Sequence, residues 1–169
     1  MATAQHQISA AIAPQRQPRR DKLSAVEASM VEKMKYPDCR VMVVDDDEVN
    51  LLLAKEVIAM YGGCPVLCNS AKAAFAHLQH GTVDLIFLDV HMPEMTGLEL
   101  AKRIRAHEHL WKAKRCPIVA LTASAMTSEI AACLEHGMDD VVLKPFAFET
   151  LKLMLDKWCH EESSHPTAT

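Results

Sequence analysis

The sequence predicts an α/β fold: a five-stranded parallel sheet in a doubly wound, three-layer sandwich, with an N-terminal helical extension. Two observations carry this. Five short runs are apolar without alternation, as strands buried on both faces are. Each is followed by a stretch whose apolar residues recur at helical spacing, and such alternation places helices on both sides of a parallel sheet.

Taken in order, residues 1–20 are rich in Ala, Gln, Pro and Arg, contain no acidic residue and show no apolar period. They are expected to be disordered. An acid-poor, Arg-containing start is shared with mitochondrial transit peptides, but Pro14 and Pro18 interrupt any amphipathic pattern here. From Asp21 the texture changes. Leu23, Val26, Met30 and Met34 recur at helical spacing until Pro37, so 21–38 reads as an amphipathic helix and linker.

The first strand is Arg40–Val44, ending on Asp45-Asp46-Asp47-Glu48; Val49, Leu52, Leu53, Val57 and Met60 then mark a helix face stopped by Gly62-Gly63. Pro65–Cys68 is a short second strand, and Ala71, Ala74, Phe75 and Leu78 set a helix face ended at Gly81. Leu85–Leu88 is the third strand, ending abruptly on Asp89 and a turn-rich segment closed by Pro93 and Gly97. Leu100, Ala101 and Ile104 carry the third helix. Ile118–Leu121 is the fourth strand, followed by a helix with Ile130, Cys133 and Leu134 on its face and Gly137 at its close. Val141–Leu143 is the fifth, ending in Lys144-Pro145; the last helix has Phe148, Leu151, Leu155 and Trp158 on one stripe. The tail 161–169 is polar and expected to be flexible.

Half of the 169 residues are apolar, enough for a sizeable core in one domain. The formal net charge of −4 and the lack of a basic stripe give no electrostatic case for nucleic acid or an anionic membrane surface. No apolar run is long enough for a membrane span and no secretory signal is visible. A cytoplasmic protein is expected. The six cysteines (Cys39, Cys64, Cys68, Cys116, Cys133 and Cys159) are expected as free thiols, since Cys68 and Cys133 fall inside apolar periodic segments and nothing marks secretion. Zinc is disfavoured because Cys64 and Cys68 have no second pair. His107 and His109 read as a solvated loop, Cys159-His160 as a frayed helix end, and Met92 and Met95 as loop packing.

Right-handed crossovers put every strand's C-terminal end on one edge. Asp45 and Asp46, Asp89, Thr122 and Lys144 come from four separate strand ends. Ligands of such sheets bind at that edge. Three converging carboxylates repel one another unless a cation relieves them, and oxygen ligands favour a small hard ion, so Mg²⁺ is expected. A mobile lysine and a hydroxyl suit an anion with tetrahedral oxygens. The chemistry indicated is phosphoryl transfer onto a carboxylate, with Asp89 as nucleophile.

Val43-Val44-Asp45-Asp46, Leu88-Asp89-x-x-x-Pro93-x-x-x-Gly97, Ala120-Leu121-Thr122-Ala123 and Leu143-Lys144-Pro145-Phe146 together resemble the receiver domains of two-component and phosphorelay response regulators, over about residues 39–160. Their wording is most similar to receivers of hybrid sensor histidine kinases. The resemblance implies a flavodoxin-like (βα)₅ fold. It makes Asp89 the phosphoacceptor, and Asp45 and Asp46 the acidic pair that holds Mg²⁺ together with Asp89 and the backbone carbonyl of His91. It makes Thr122 the switch hydroxyl and Lys144 the partner of the phosphoryl group, through a cis Lys144-Pro145 bond. The implied partner is a sensor histidine kinase or a histidine-phosphotransfer protein. Such a chain is a phosphoacceptor that assists its own phosphorylation and dephosphorylation, not an enzyme in the usual sense.

One position departs from the family's pattern. Val141 stands where Tyr or Phe is frequent, three residues before Lys144, so output by ring rotation gives way to phosphate relay or a surface shift in the fourth helix and fifth strand. The surface of the last two βα units is the expected face for a partner or for a homodimer. Two other readings compete: a constitutive interaction module that keeps the fold without phosphorylation, and a haloacid-dehalogenase-like phosphatase. The second calls for an Asp two residues after Asp89, where the chain has His91. The first is disfavoured by the intact set of five functional groups.

Overall fold

A computed structural model describes residues 35–111 and 115–159. The expected disordered segment and tail lie outside the described residues, as do residues 21–34 of the helix and linker expected over 21–38. Five parallel strands run in the order β2-β1-β3-β4-β5. In chain order they are β1 (Arg40–Val44), β2 (Cys64–Cys68), β3 (Leu85–Asp89), β4 (Ile118–Thr122) and β5 (Asp140–Leu143). The helices are α1 (Glu48–Met60), α2 (Ala71–Leu78), α3 (Gly97–His107), α4 (Thr127–Glu135) and α5 (Phe148–Trp158).

Because side chains alternate across a strand, each central strand feeds two cores. Met42, Val44, Ile86, Leu88, Ile118 and Ala120 face one side, against α2, α3 and Cys133 of α4. Val41, Val43, Leu85, Phe87, Val119 and Leu121 face the other, against α1 and α5. All five residues of β3 and of β4 are buried, whereas the edge strands β2 and β5 are partly exposed. This is the doubly wound sandwich that the apolar runs predict.

Three helix faces differ from expectation. On α1 the core side is Leu51, Ala54, Val57 and Ile58, while Val49, Leu52 and Met60 are exposed. Apolar residues occupy most of this helix's circumference, so periodicity alone left its orientation open; the sheet decided it. Leu134 and Phe148 likewise face outward, leaving Cys133 of α4 and Leu151 and Leu155 of α5 as the buried anchors.

The cysteine reading needs a correction. Cys39 and Cys159 form a disulfide with their Cα atoms 6.2 Å apart, although 120 residues separate them in sequence. The fold brings the entry to β1 beside the end of α5, so Cys159 is a buried anchor and not a frayed end. Tyr36 buries its ring in the same layer and donates its hydroxyl to Asp156 of α5, which Lys35 also pairs at 2.6 Å. Cys64, Cys68, Cys116 and Cys133 are free thiols, as expected.

At the opposite edge from the strand C-termini, Arg105 of α3 ties three elements together. Its guanidinium donates to the carbonyls of Gly137 (2.8 Å) and Cys116 (2.9 Å) and to the carboxylates of Glu108 (2.7 Å) and Asp139 (2.8 Å). Asp139 in turn caps the start of β4 by accepting from the Ile118 amide at 2.8 Å. His107, read from sequence as part of a solvated loop, is instead the last residue of α3 and sets its ring edge-on to Phe75, with centroids 5.4 Å apart.

Candidate functional site

Strand register assembles the site. Val44 pairs with Leu88, which levels Asp45 with Asp89; Asp89 pairs with Leu121, and Thr122 with Leu143, which puts Lys144 one residue beyond the level of Thr122. Backbone bonds carry the ladder one step past the strands, from the Asp45 amide to Cys68, Val90 to Leu121 and Lys144 to Thr122. The four strand ends picked out in the sequence therefore meet on one edge.

Asp45, Asp46 and Asp89 each bring a carboxylate oxygen within 4.8 Å of the others. Asp45 is fully buried and Asp89 nearly so, while Asp46 is exposed. Lys144 reaches into this cluster, 2.7 Å from Asp45 Oδ2 and 3.1 Å from Asp89 Oδ1. Asp45 also accepts from the Asp47 amide at 2.9 Å and from the Asn50 side chain at 3.2 Å and 3.3 Å. Asp89 accepts from the His91 amide at 3.3 Å. Asp47 has a separate task, capping α1 by accepting from the Val49 amide.

Burial lifts the Asp89 carboxyl above its ordinary pKa; the bond to Lys144 opposes this and the Asp45 charge reinforces it. Burial acts downward on the Lys144 ammonium, but its bonds to Asp45 and Asp89 outweigh that and hold it above the ordinary lysine value. Lys144 thus pairs with two of the three carboxylates, and the third, Asp46, lies on the exposed side of the cluster. All-oxygen donors with an open side fit a hard divalent cation.

Gly97 makes this packing possible. A Cβ there would lie 2.1 Å from the Asp89 carbonyl oxygen and 3.0 Å from the Val90 Cα, so α3 starts directly against the strand that carries Asp89. The helix is set there by a capping box: Glu99 donates its amide to the Thr96 hydroxyl, and its carboxylate accepts from the Thr96 amide. The Lys144-Pro145 bond is cis, as the resemblance implies.

The family model of the response regulator receiver domain matches residues 41–156. The chain belongs to this family.

Curated relatives of the receiver are receiver regions of hybrid sensor kinases. The sensor protein GacS of Pseudomonas syringae pv. syringae is 37% identical over 134 residues, covering 79% of this chain and 15% of that protein. The aerobic respiration control sensor protein ArcB of Escherichia coli K12 is 31% identical over 139 residues, covering 82% of this chain and 18% of that protein. The chain therefore spans less than a fifth of the length of these relatives.

Among solved structures, the receiver domain of the sensor histidine kinase PA1611 from Pseudomonas aeruginosa PAO1 superposes with a TM-score of 0.65 at 29% identity, over 72% of this chain and 98% of that one. That structure has a magnesium ion coordinated in its active-site cleft. A chain of the co-crystal of the Saccharomyces cerevisiae histidine phosphotransfer protein Ypd1 with the receiver domain of Ssk1 gives 0.69 at 26% identity, over 73% and 90% of the two chains.

Four residues of the receiver's site were not singled out from sequence. Asn50 holds the buried Asp45 carboxylate, and Thr96 with Glu99 positions α3; the Thr96-x-x-Glu99 spacing before an apolar period was a readable signal for the latter. Glu129, in the first turn of α4, accepts the Thr122 hydroxyl. Nothing in the local sequence marks Glu129, because its contact depends on where α4 lands.

Proposed function

We propose that the receiver takes a phosphoryl group from a phosphohistidine onto Asp89 in a Mg²⁺-dependent reaction and passes the signal on by relay or by a shift in its surface. The observation that supports this best is the trio of carboxylates at the strand ends, two of them buried and bridged by Lys144, in a cation-ready cluster.

In this reading Asp45, Asp46, Asp89 and the His91 backbone carbonyl hold Mg²⁺. The ion supplies charge neutralisation to the transferring group, which is most of what phosphoryl transfer requires. Asp89, held by the His91 amide and Lys144, presents a carboxylate oxygen to phosphorus. The new Oδ–P bond forms as the donor's N–P bond breaks, and the donor imidazole keeps the electron pair and takes up a proton. Lys144 then turns its ammonium to a phosphoryl oxygen, and Thr122 supplies a hydroxyl donor to another.

The donor is a histidine kinase or a helical histidine-phosphotransfer domain, and the setting is the cytoplasm. Val49 and Leu52, 73% and 57% exposed, stand on the first turns of α1 just beyond Asp46, and Phe148, 48% exposed, opens α5 in the same layer. An apolar helix face beside the acceptor suits a helical donor. The magnesium-bound PA1611 receiver and the Ypd1–Ssk1 pair are consistent with both halves of this reading.

Intact-mass spectrometry after incubation with Mg²⁺ and acetyl phosphate, then with a phosphorylated histidine-phosphotransfer domain, tests it. One metal-dependent phosphoryl adduct on the native chain and none on Asp89→Asn is expected. No adduct from either donor, with Mg²⁺ still binding, would mean a constitutive interaction module.

A further inference from the structure

Thr122 is the one hydroxyl among the site's functional groups, and in this structure it is already engaged. Its Oγ1 donates to Glu129 Oε1 and accepts from the Ser124 amide at 3.1 Å. Thr122 is fully buried, while the Glu129 side chain is partly exposed. The same Glu129 oxygen lies 3.9 Å from His91 Nδ1, at the start of the loop after Asp89. Glu129 therefore touches the loops after β3 and β4 from its place on α4.

We propose that Glu129 is a positioning residue, a latch that holds the Thr122 hydroxyl away from the acceptor until a phosphoryl group on Asp89 competes for it. The proposal rests on the reading of Asp89 as phosphoacceptor. A hydroxyl has one proton to donate. Its bond to Glu129 and a bond to a phosphoryl oxygen exclude each other, so occupancy of Asp89 must release Glu129. A carboxylate next to an incoming phosphoryl dianion is also repelled, and this drives the side chain outward.

The released side chain is fixed to the first turn of α4. That turn is lightly pinned: Met126 at its N-cap makes no side-chain capping bond and is 66% exposed. Here lies an output route that needs no aromatic ring. Val141 has no ring to rotate, but the exchange of partners at Thr122 reaches α4 directly through Glu129. By population-shift logic, phosphorylation favours the released state only by as much as Thr122 prefers the phosphoryl oxygen to Glu129.

The test is a double-mutant cycle read by ¹⁹F NMR titration of beryllofluoride with Mg²⁺, using the native chain, Glu129→Ala, Thr122→Val and the double variant. Removing the latch frees the hydroxyl, so Glu129→Ala is expected to bind about ten-fold tighter than native, the scale of one charge-assisted hydrogen bond. In the Thr122→Val background the same substitution should change affinity by less than about two-fold, since the effect passes through the hydroxyl. Glu129→Gln keeps the length of the side chain and guards against a folding artefact; it should fall between native and Glu129→Ala. Equal affinity of native and Glu129→Ala overturns the latch, as does an equal gain in both backgrounds. If no chain takes up beryllofluoride, the reading of Asp89 fails and the latch with it.

Discussion

Substituting Gly97 by Ala sets two effects of opposite sign against each other. Inside a helix, Gly→Ala ordinarily stabilises by about 0.5–1 kcal/mol through reduced backbone entropy. At Gly97 the new methyl would lie 2.1 Å from the Asp89 carbonyl oxygen, more than 1 Å inside ordinary contact, and the obstructing atoms are backbone. Neither partner can yield as a side-chain tip would, so α3 or the end of β3 must move. Overpacking of this kind costs about 1–3 kcal/mol, and it outweighs the propensity gain. A fall in Tm on the order of 5 °C is expected for Gly97→Ala by calorimetry. The displaced strand end carries Asp89, the proposed acceptor, and misplacement by about 1 Å is worth up to about a hundred-fold in rate. Phosphorylation by acetyl phosphate should therefore fall more steeply than stability. A Gly97→Ala chain with unchanged or higher Tm and native phosphorylation would refute the packing account.

Other expectations follow from the remaining contacts. Arg105→Lys should lower urea-unfolding stability by about 2–4 kcal/mol, because a lysine cannot reproduce four simultaneous bonds and removes one of the two guanidinium groups paired with the Asp139 carboxylate. Lys144 has a folded pKa above its ordinary value, so its contribution to stability is complete below the unfolded value and is lost as pH rises through the folded one. Urea titrations of the metal-free chain should show that alkaline loss, and Lys144→Met should abolish it while making stability depend more strongly on Mg²⁺. Among the four free thiols, exposed Cys64 should react with iodoacetamide in the native state, whereas Cys116, pushed up to about 12 by burial, and buried Cys68 and Cys133 should not. Labelling of more than one thiol in the folded chain, counted by peptide mass, would contradict this.

What the sequence made legible was whatever chain order and strand periodicity decide. The continuous apolar runs ending in Asp45, Asp89, Thr122 and Lys144 were enough to place those groups on one edge, since parallel topology leaves no other arrangement. The orientation of α1 was not legible. Leu51, Leu52, Leu53 and Ala54 are consecutive apolar residues, and only the position of the sheet separates buried Leu51 from exposed Leu52. The Cys39–Cys159 pair and the contact of Glu129 with Thr122 were hidden for a related reason. Each joins groups whose proximity exists only after two elements have docked, and no local spacing encodes it. The Thr96 capping box differs, because its signal was local and complete.

The disulfide has a mechanical consequence. Cys39 stands just before the first strand and Cys159 just after the last helix, with Cα atoms 6.2 Å apart. Tension applied to the chain on either side of the domain runs through that one covalent bridge and bypasses the sheet. Under such tension the domain is a closed side loop and not a link in series. Neighbouring segments can be pulled, twisted or rearranged while the spacing of Asp45, Asp89 and Lys144 stays as it is.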